Sequence, residues 1–188
     1  MPRPPYPQPT QADIDAVTEQ LGRQARGVVG IAARTADGAP AVVATAPRLE
    51  DGTPFPTFYY LCHPDIVAAA SRLEAAGFMA ELNERLAAEP DLREKYQAAH
   101  EAYIADRDSF AQVPELAGVS AGGMPTRVKC LHALIGHALA AGPGLNPIGD
   151  IALAASSFRD TAPAGENQPA NQAAPEMQDA AKSGTIEA

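Results

Sequence analysis

Two apolar runs on either side of an Asp-Gly pair constrain the fold most strongly. The runs are "GVVGIAAR" and "APAVVATAP", and Asp37–Gly38 lies between them. Asp-Gly between such runs is a strong hairpin signal, because tight hairpin turns need residues that tolerate positive φ. A third run, "FPTFYYLC", follows the turn sequence "LEDGTP". We therefore predict three antiparallel strands in the first third of the chain.

Helical spacing dominates the sequence outside these strands. Thr10 is a suitable N-cap for a helix over "QADIDAVTEQLG", whose apolar stripe is Ile14, Val17 and Leu21. Further helices are expected over "IVAAASRLEAA", "FMAELNERLAAE", "DLREKYQAAHEAYIADRDSF", from about Pro125 to Ala141, and over "IALAA". The pattern predicts an α+β fold, a small three-stranded antiparallel sheet packed by four to five helices.

Composition divides the chain into three parts. Residues 1–9 form a Pro-rich arm, and residues 10–157 have the apolar content of a single α+β domain. Residues 158–188 are acidic and rich in Ala, Pro and Gln, with almost no large apolar side chains. Such a segment buries too little surface to offset its ordering entropy, so we predict that it is disordered.

Charge and cysteine content limit the functional class. A net charge of −9 argues against a nucleic-acid-binding protein, which needs a basic face. The N-terminus has no apolar signal region, and no apolar run is long enough for membrane insertion. Two cysteines argue against a disulfide scaffold and favour reduced thiols. We therefore expect a cytoplasmic protein.

One hypothesis is a zinc or iron site, because histidine and cysteine side chains are suitable ligands for these metals. In a regular helix, Cys130 and His137 share a face but lie about 10.5 Å apart along the axis. His132 would point about 160° away from Cys130, so the set is not a ready-made ligand group. The alternative is that Cys130 is a small buried hydrophobe and the histidines make hydrogen bonds in the core.

The segment "SAGGMPTRVK" supports a second hypothesis, an anion site. Gly122 and Gly123 precede a predicted helix N-terminus, where free amide donors and a partial positive charge favour anions. Arg127 and Lys129 add positive charge, which suits phosphate or carboxylate. The spacing of a Walker loop is absent, so a small anionic ligand of unspecified kind is the prediction.

A third hypothesis gives Cys130 a catalytic role. Lys129 and Arg127 would lower the pKa of a thiol near the start of a helix and make it nucleophilic. His132 or His63 would then act as the base. These catalytic candidates leave open whether the protein is an enzyme.

Several segments resemble an uncharacterised bacterial family, Domain of Unknown Function 501, in its actinobacterial form. They are "LGRQARGVVGIAAR", "PRLEDGTPFPTFYYL", "HPDIVAAASRLEAAG", "HEAYIADRD" and "GGMPTRVKCLHALIGHALAAGPGLNPIGD", and "RVKCLH" and "NPIGD" are the most specific. The resemblance implies no activity. Genes of this family often lie near a septum formation initiator gene and, in actinobacteria, near an exopolyphosphatase gene. This context suggests the alternative of a non-enzymatic interaction protein with a divisome-related partner, serving cell division or envelope assembly.

One departure from the family pattern bears on the metal hypothesis. The family often has Thr-Cys-Pro where this chain has Cys62-His63-Pro64, so His63 takes the position of a cysteine. An exchange of Cys for His suits a metal ligand better than a shared nucleophile. The resemblance thus implies His63 and Cys130 as ligands, then His132 or His137, with His100 as a fourth. We expect the site where the third strand meets the "RVKCLH" helix.

Overall fold

The structure, a computed structural model, describes residues 4, 6–156 and 158, and the backbone of residues 161–163. The elements in chain order are α1 (Gln11–Leu21), β1 (Val28–Thr35), β2 (Pro40–Thr45), β3 (Tyr59–Leu61), α2 (Pro64–Ala75), α3 (Phe78–Ala88), α4 (Pro90–Phe110), a 3-10 turn (Pro114–Leu116), α5 (Leu131–Ala141), α6 (Pro147–Ala155) and β4 (Thr161–Pro163).

The sheet has the strand order β3-β2-β1-β4, and every neighbouring pair is antiparallel. The predicted hairpin joins β1 and β2, with Gly38 in the turn at φ +90°. The α+β fold and the three predicted antiparallel strands are confirmed. The fourth strand, β4, is a short addition that pairs with the end of β1.

The helices lie mostly on one face of the sheet, around α5. Ten of the eleven residues of α5 are buried, which makes it the central element of the main core. Gly136 allows a close approach to β3, because a Cβ there would lie 3.1 Å from the Tyr59 carbonyl oxygen. The third strand therefore contacts the middle of α5 and leaves the start of this helix to other elements.

The opposite face of the sheet carries a smaller core under α1. Val17 of α1 packs against Ile31, Val43 and Cys62. Val42 and Val43 point into the main and the small core respectively, as the two-residue period of a strand requires. Thr10 caps α1 in a capping box with Asp13, which confirms the predicted N-terminus of this helix.

A fully buried arginine fixes the loop after α4. Arg107 is 0% exposed, and its guanidinium donates to the carbonyl oxygens of Leu116 (2.9 Å) and Val119. Its third partner is the Asp108 carboxylate at 2.8 Å. These contacts hold the chain between α4 and the glycine turn that precedes α5.

The structure differs from the sequence expectations in several places. The described residues form six α-helices, one more than the four to five of the predicted fold class, and each lies in one of the six segments with helical spacing. β4 lies within the segment predicted to be disordered, and residues 164–188 of that segment are outside the described residues. Of the N-terminal arm, Tyr6 packs on the main core, and its hydroxyl donates to the Tyr59 hydroxyl at 3.1 Å. Among the described helices, none combines the length and apolarity required to cross a membrane.

Candidate functional site

The segment before α5 is extended, which corrects the predicted start of this helix. The sequence predicted a helix from about Pro125, but α5 begins at Leu131, with Cys130 as its N-cap at φ −153° and ψ 114°. The side-chain amide of Asn83 on α3 pairs with both polar groups of Val128, at 2.8 Å to N and 3.0 Å to O. These bonds resemble those of a neighbouring strand and keep residue 128 out of a helix.

The two predicted glycines contact the protein itself. Gly122 and Gly123 have φ of +70° and +94°, a conformation that favours glycine. A Cβ at Gly122 would lie 2.8 Å from Cγ of Leu134, and one at Gly123 would lie 2.7 Å from Cβ of Lys129. The Gly122 carbonyl oxygen accepts hydrogen bonds from the amides of Lys129 (2.7 Å) and Cys130 (3.3 Å). The glycines therefore shape a tight turn of the chain, and their close approaches are to its own atoms.

The predicted cations lie on the surface beside this turn. Arg127 and Lys129 are exposed on either side of buried Val128. Neither forms an ion pair within the described part of the chain. Their guanidinium and ammonium groups remain exposed to solvent near the start of α5.

A carboxylate from α2 already occupies the N-terminus of α5. Oε1 of Glu74 accepts a hydrogen bond from the Leu131 amide at 2.7 Å and lies 3.1 Å from Nδ1 of His132. A negative charge at this position satisfies a free amide and the partial positive charge of the helix end. The expected role of this helix end in binding an external anion is thus taken by the protein's own Glu74.

Four side chains, from α2 and from the N-cap and first turn of α5, form the candidate site. Nε2 of His132 lies 3.1 Å from Oγ of Ser71, one helical turn before Glu74 on α2. Ligand atoms of Glu74, Cys130 and His132 all lie within 4.8 Å of one another. All three residues are partly exposed, so the cluster is accessible from solvent. We refer to Glu74, Cys130 and His132, with Ser71, as the ECH cluster.

The thiol and the imidazole perturb each other. The hydrogen bond with His132 lowers the pKa of the Cys130 thiol, although partial burial acts in the opposite direction. The same interaction with Cys130, reinforced by Glu74, raises the pKa of His132 to about 9. At neutral pH the ring is therefore protonated, between a carboxylate and a thiol with increased thiolate character.

The ECH cluster meets the ligand requirements of a zinc-type cation. It offers one sulfur, one nitrogen and one oxygen, all of which zinc accepts. In a tetrahedral site, ligand atoms at ordinary zinc distances are roughly 3.5 Å apart. Since the ligand atoms here are at most 4.8 Å apart, small side-chain movements are sufficient.

The other predicted metal ligands lie elsewhere. His63 lies at the N-cap position of α2, and the ten residues between it and Glu74 place the two about 16 Å apart along the helix axis. His100 contacts Oγ of Ser120 at 2.8 Å through Nδ1. Neither His63 nor His100 belongs to a group of three possible ligands within the described residues. The expected convergence of His63 with Cys130 where the third strand meets the helix is not found there.

His137 has a structural environment in the core. Its ring is fully buried and stacks on Tyr59 with centroids 5.6 Å apart. Its Nδ1 lies 3.2 Å from Nδ2 of Asn146, whose Oδ1 accepts the Gly149 amide and so caps α6. His137 therefore links α5 to the "NPIGD" segment. The alternative interpretation, in which the histidines make hydrogen bonds in the core, fits His137, which lies two helical turns away from Cys130.

Glu74 and Ser71 were not predicted as site residues. The only sequence signal for Ser71 and Glu74 is their spacing of one helical turn on the same helix. This signal is weak, because the two residues otherwise resemble any polar pair on a protein surface. Contact between α2 and the start of α5 gives these residues their position, and that contact is tertiary.

Comparison with known proteins identifies the family. The family model for the protein of unknown function DUF501 matches residues 31–154. This match spans more than half of the chain, from within β1 to within α6, and includes the whole ECH cluster. No curated protein and no solved structure matches the chain. The chain belongs to the DUF501 family.

Proposed function

We propose that this member of the DUF501 family binds one zinc-type divalent cation through Glu74, Cys130 and His132. The observation that carries the proposal is the meeting of three different ligand atoms within 4.8 Å, from two elements, at a partly exposed position. Sulfur and imidazole nitrogen favour zinc or iron over magnesium and calcium. Three protein ligands leave a coordination position open, which is the pattern of catalytic zinc sites.

Each neighbouring residue has a role in this proposal. Nδ1 of His132 faces the cluster, so that its Nε2–H is available to donate to Ser71 and fix the ring. Exposed Lys129 and Arg127 then supply positive charge for a small anionic ligand, phosphate or carboxylate. When bound, a zinc-type cation lowers the pKa of a water molecule, so hydrolysis of an anionic substrate is the reaction class we propose.

Metal analysis tests this proposal directly. The chain is purified without chelator, and zinc and iron are measured by elemental analysis. We expect about one equivalent of metal, and a loss of at least tenfold in zinc affinity in Cys130→Ser and in His132→Gln. Cys62→Ala and His100→Gln are matched controls, because they remove the same side-chain types away from the cluster and should retain the metal.

Two results would contradict the metal site. One is a folded protein that binds zinc no more tightly than the Cys130→Ser variant does. The other is equal metal loss in the control variants, which would show that the cation binds elsewhere. Lys129→Ala should weaken binding of inorganic phosphate to the zinc-loaded protein without unfolding it, and unchanged phosphate affinity would exclude the anionic role of Lys129.

A second candidate function uses Cys130 as a nucleophile with His132 as its partner and Glu74 orienting the ring. The observation in its favour is the proximity of the three side chains, whose reactive atoms lie within 4.8 Å of one another. The lowered pKa of the thiol and the raised pKa of the imidazole, about 9, agree with this arrangement. A metal-free native protein in which iodoacetamide alkylates Cys130 rapidly would favour this function. A native thiol that resists alkylation even without metal would exclude it.

We also propose the cytoplasmic location that the sequence predicts, and we weigh the alternative of an interaction protein. Cys62 and Cys130 are both free thiols, which favours a reducing, cytoplasmic location. The alternative of a partner in cell division or envelope assembly predicts a broad apolar surface. Within the described residues, the only large hydrophobic side chains that are exposed are Phe110 and Val119, so exposed side chains there do not form such a broad apolar surface.

A further inference from the structure

A second concavity lies on the opposite face of the sheet from α5. Helix α1 ends at Leu21 and covers only part of this face. Beyond its end is a pocket of about 190 Å³ whose walls are formed by the end of α1, by Val28 and Val43 of the sheet, and by Leu49. It continues the small core under α1 but is open to solvent on one side. We call it the α1 pocket.

The α1 pocket has an aromatic wall and an apolar floor. Phe55 and Tyr60 form the wall, with ring centroids 6.4 Å apart and planes tilted by 31°. Val43 forms part of the floor and is only 2% exposed. Contact of a ligand with these side chains would remove apolar surface from water, which is the main favourable term in the binding of apolar groups.

Two arginines at the mouth give the α1 pocket a positive rim. Arg23 and Arg26 are exposed, and neither has an ion-pair partner among the described residues. The guanidinium of Arg23 lies 6.0 Å from the centroid of the Tyr60 ring and donates to its hydroxyl at 3.4 Å. By contrast, exposed Arg48 is paired with Glu115 at 2.6 Å. In a chain of net charge −9, two such cations beside an apolar pocket favour an anionic group.

A neighbouring cavity limits where that anionic group would lie. This cavity, about 320 Å³, shares Ala25, Arg26 and Leu49 with the α1 pocket and also borders Glu50 and Asp51. The two carboxylates repel an anion and partly neutralise Arg26. The charged head of a ligand is therefore expected beside Arg23, at the edge of the Tyr60 ring.

We propose that the α1 pocket binds a small amphipathic anion, a short alkyl chain that carries one carboxylate or phosphate. The apolar body contacts Val43, Leu49 and Phe55, and the head pairs with Arg23. The volume of about 190 Å³ is below the range typical of drug-sized ligands, which selects a short chain. This site lies on the other face of the sheet from the ECH cluster, and the proposal is independent of the metal site.

Methyl NMR of the full-length chain tests the proposal with four probes of equal chain length. Octanoate and octyl phosphate carry the proposed head groups, octanol is the neutral control, and octylamine reverses the charge. We expect the methyl signals of Val28, Val43 and Leu49 to shift with the two anions. Octanol and octylamine should bind at least tenfold more weakly than octanoate, because they lack the charge-assisted bond to Arg23.

Three variants locate the binding. Arg23→Gln should weaken octanoate binding about tenfold. Ala25→Met, which fills the pocket from its partly buried lining, should abolish the methyl shifts. Arg72→Gln on α2 is the matched control and should bind octanoate as the unmodified chain does. Tighter binding of octyl phosphate than of octanoate would assign a phosphate head, and the reverse order would assign a carboxylate.

Four results of the binding experiments would overturn the proposal. They are equal affinity for all four probes, tighter binding of octylamine than of octanoate, unchanged affinity in Arg23→Gln, and the absence of methyl shifts at millimolar octanoate. A concentration-dependent dimer that disappears in Ala25→Met would also overturn it, because a second copy of the chain would then occupy the pocket.

Discussion

Replacement of Glu74 tests whether this carboxylate joins α2 to α5. Oε1 of Glu74 accepts from the Leu131 amide at 2.7 Å and contacts Nδ1 of His132 at 3.1 Å. Loss of a capping acceptor costs about 1 kcal/mol, and loss of a negative charge at a helix N-terminus costs about 0.5 kcal/mol. The ion pair with His132, whose partners are 25% and 29% exposed, adds at most about 1 kcal/mol. We therefore expect Glu74→Ala to destabilise the protein by about 2 kcal/mol.

Glu74→Gln separates the cap from the charge. Glutamine keeps an oxygen that can accept from the Leu131 amide but loses the negative charge, so we expect a loss of about 1 kcal/mol. Urea denaturation at pH 7 measures both variants, with Glu84→Gln on the exposed face of α3 as the control. Equal stability of Glu74→Ala and Glu84→Gln would refute the capping role. Equal losses in Glu74→Gln and Glu74→Ala would show that charge alone stabilises the junction.

Three further predictions follow from other contacts. Because His132 lowers the pKa of Cys130, alkylation of Cys130 should be half-maximal below pH 9.0, and the pH of half-maximal alkylation should rise in His132→Gln. Burial raises the pKa of Cys62 to about 12, so Cys62 should stay unreacted. Identical pH profiles of Cys130 alkylation in the two proteins would contradict the coupling. Arg107→Met should cost about 3 kcal/mol in urea denaturation, because it removes the guanidinium that pairs with the carbonyl oxygens of Leu116 and Val119. A loss below about 1 kcal/mol would contradict this. Asn83→Leu removes two hydrogen bonds to the extended segment before α5, so we expect both the zinc affinity and the stability of the protein to fall. Unchanged zinc affinity would show that this segment does not position the ligands.

The fold was predictable where the signal is local. The Asp37–Gly38 hairpin and the Thr10 cap depend on residues close in sequence, and both are confirmed. The start of α5 was placed six residues too early, at Pro125 instead of Leu131. The reason is tertiary, since Asn83 is 45 residues away from Val128 and pairs with it as a strand would. A propensity pattern contains no information about such a partner.

The site was predictable only in part for the same reason. Cys130 and His132 were candidates from residue type, and the structure brings their side chains together. Regular helical geometry from Pro125 would have placed them on opposite faces, whereas Cys130 precedes the first turn and is free of that constraint. To predict Glu74 as a site residue would have required knowledge of how α2 packs on α5. His63 was selected by resemblance, but the length of α2 separates it from the cluster.

In the proposed metal site, the double role of Glu74 would couple cation binding to motion of the backbone. One oxygen of this carboxylate accepts the Leu131 amide proton, so a cation that draws the carboxylate away would expose that amide to water. The exchange rate of this single amide with deuterium would then report whether the cation is bound. If the carboxylate instead binds the cation through its other oxygen, the amide stays protected and α5 becomes more rigid on loading. Either behaviour would make the first turn of α5 a built-in sensor of metal occupancy.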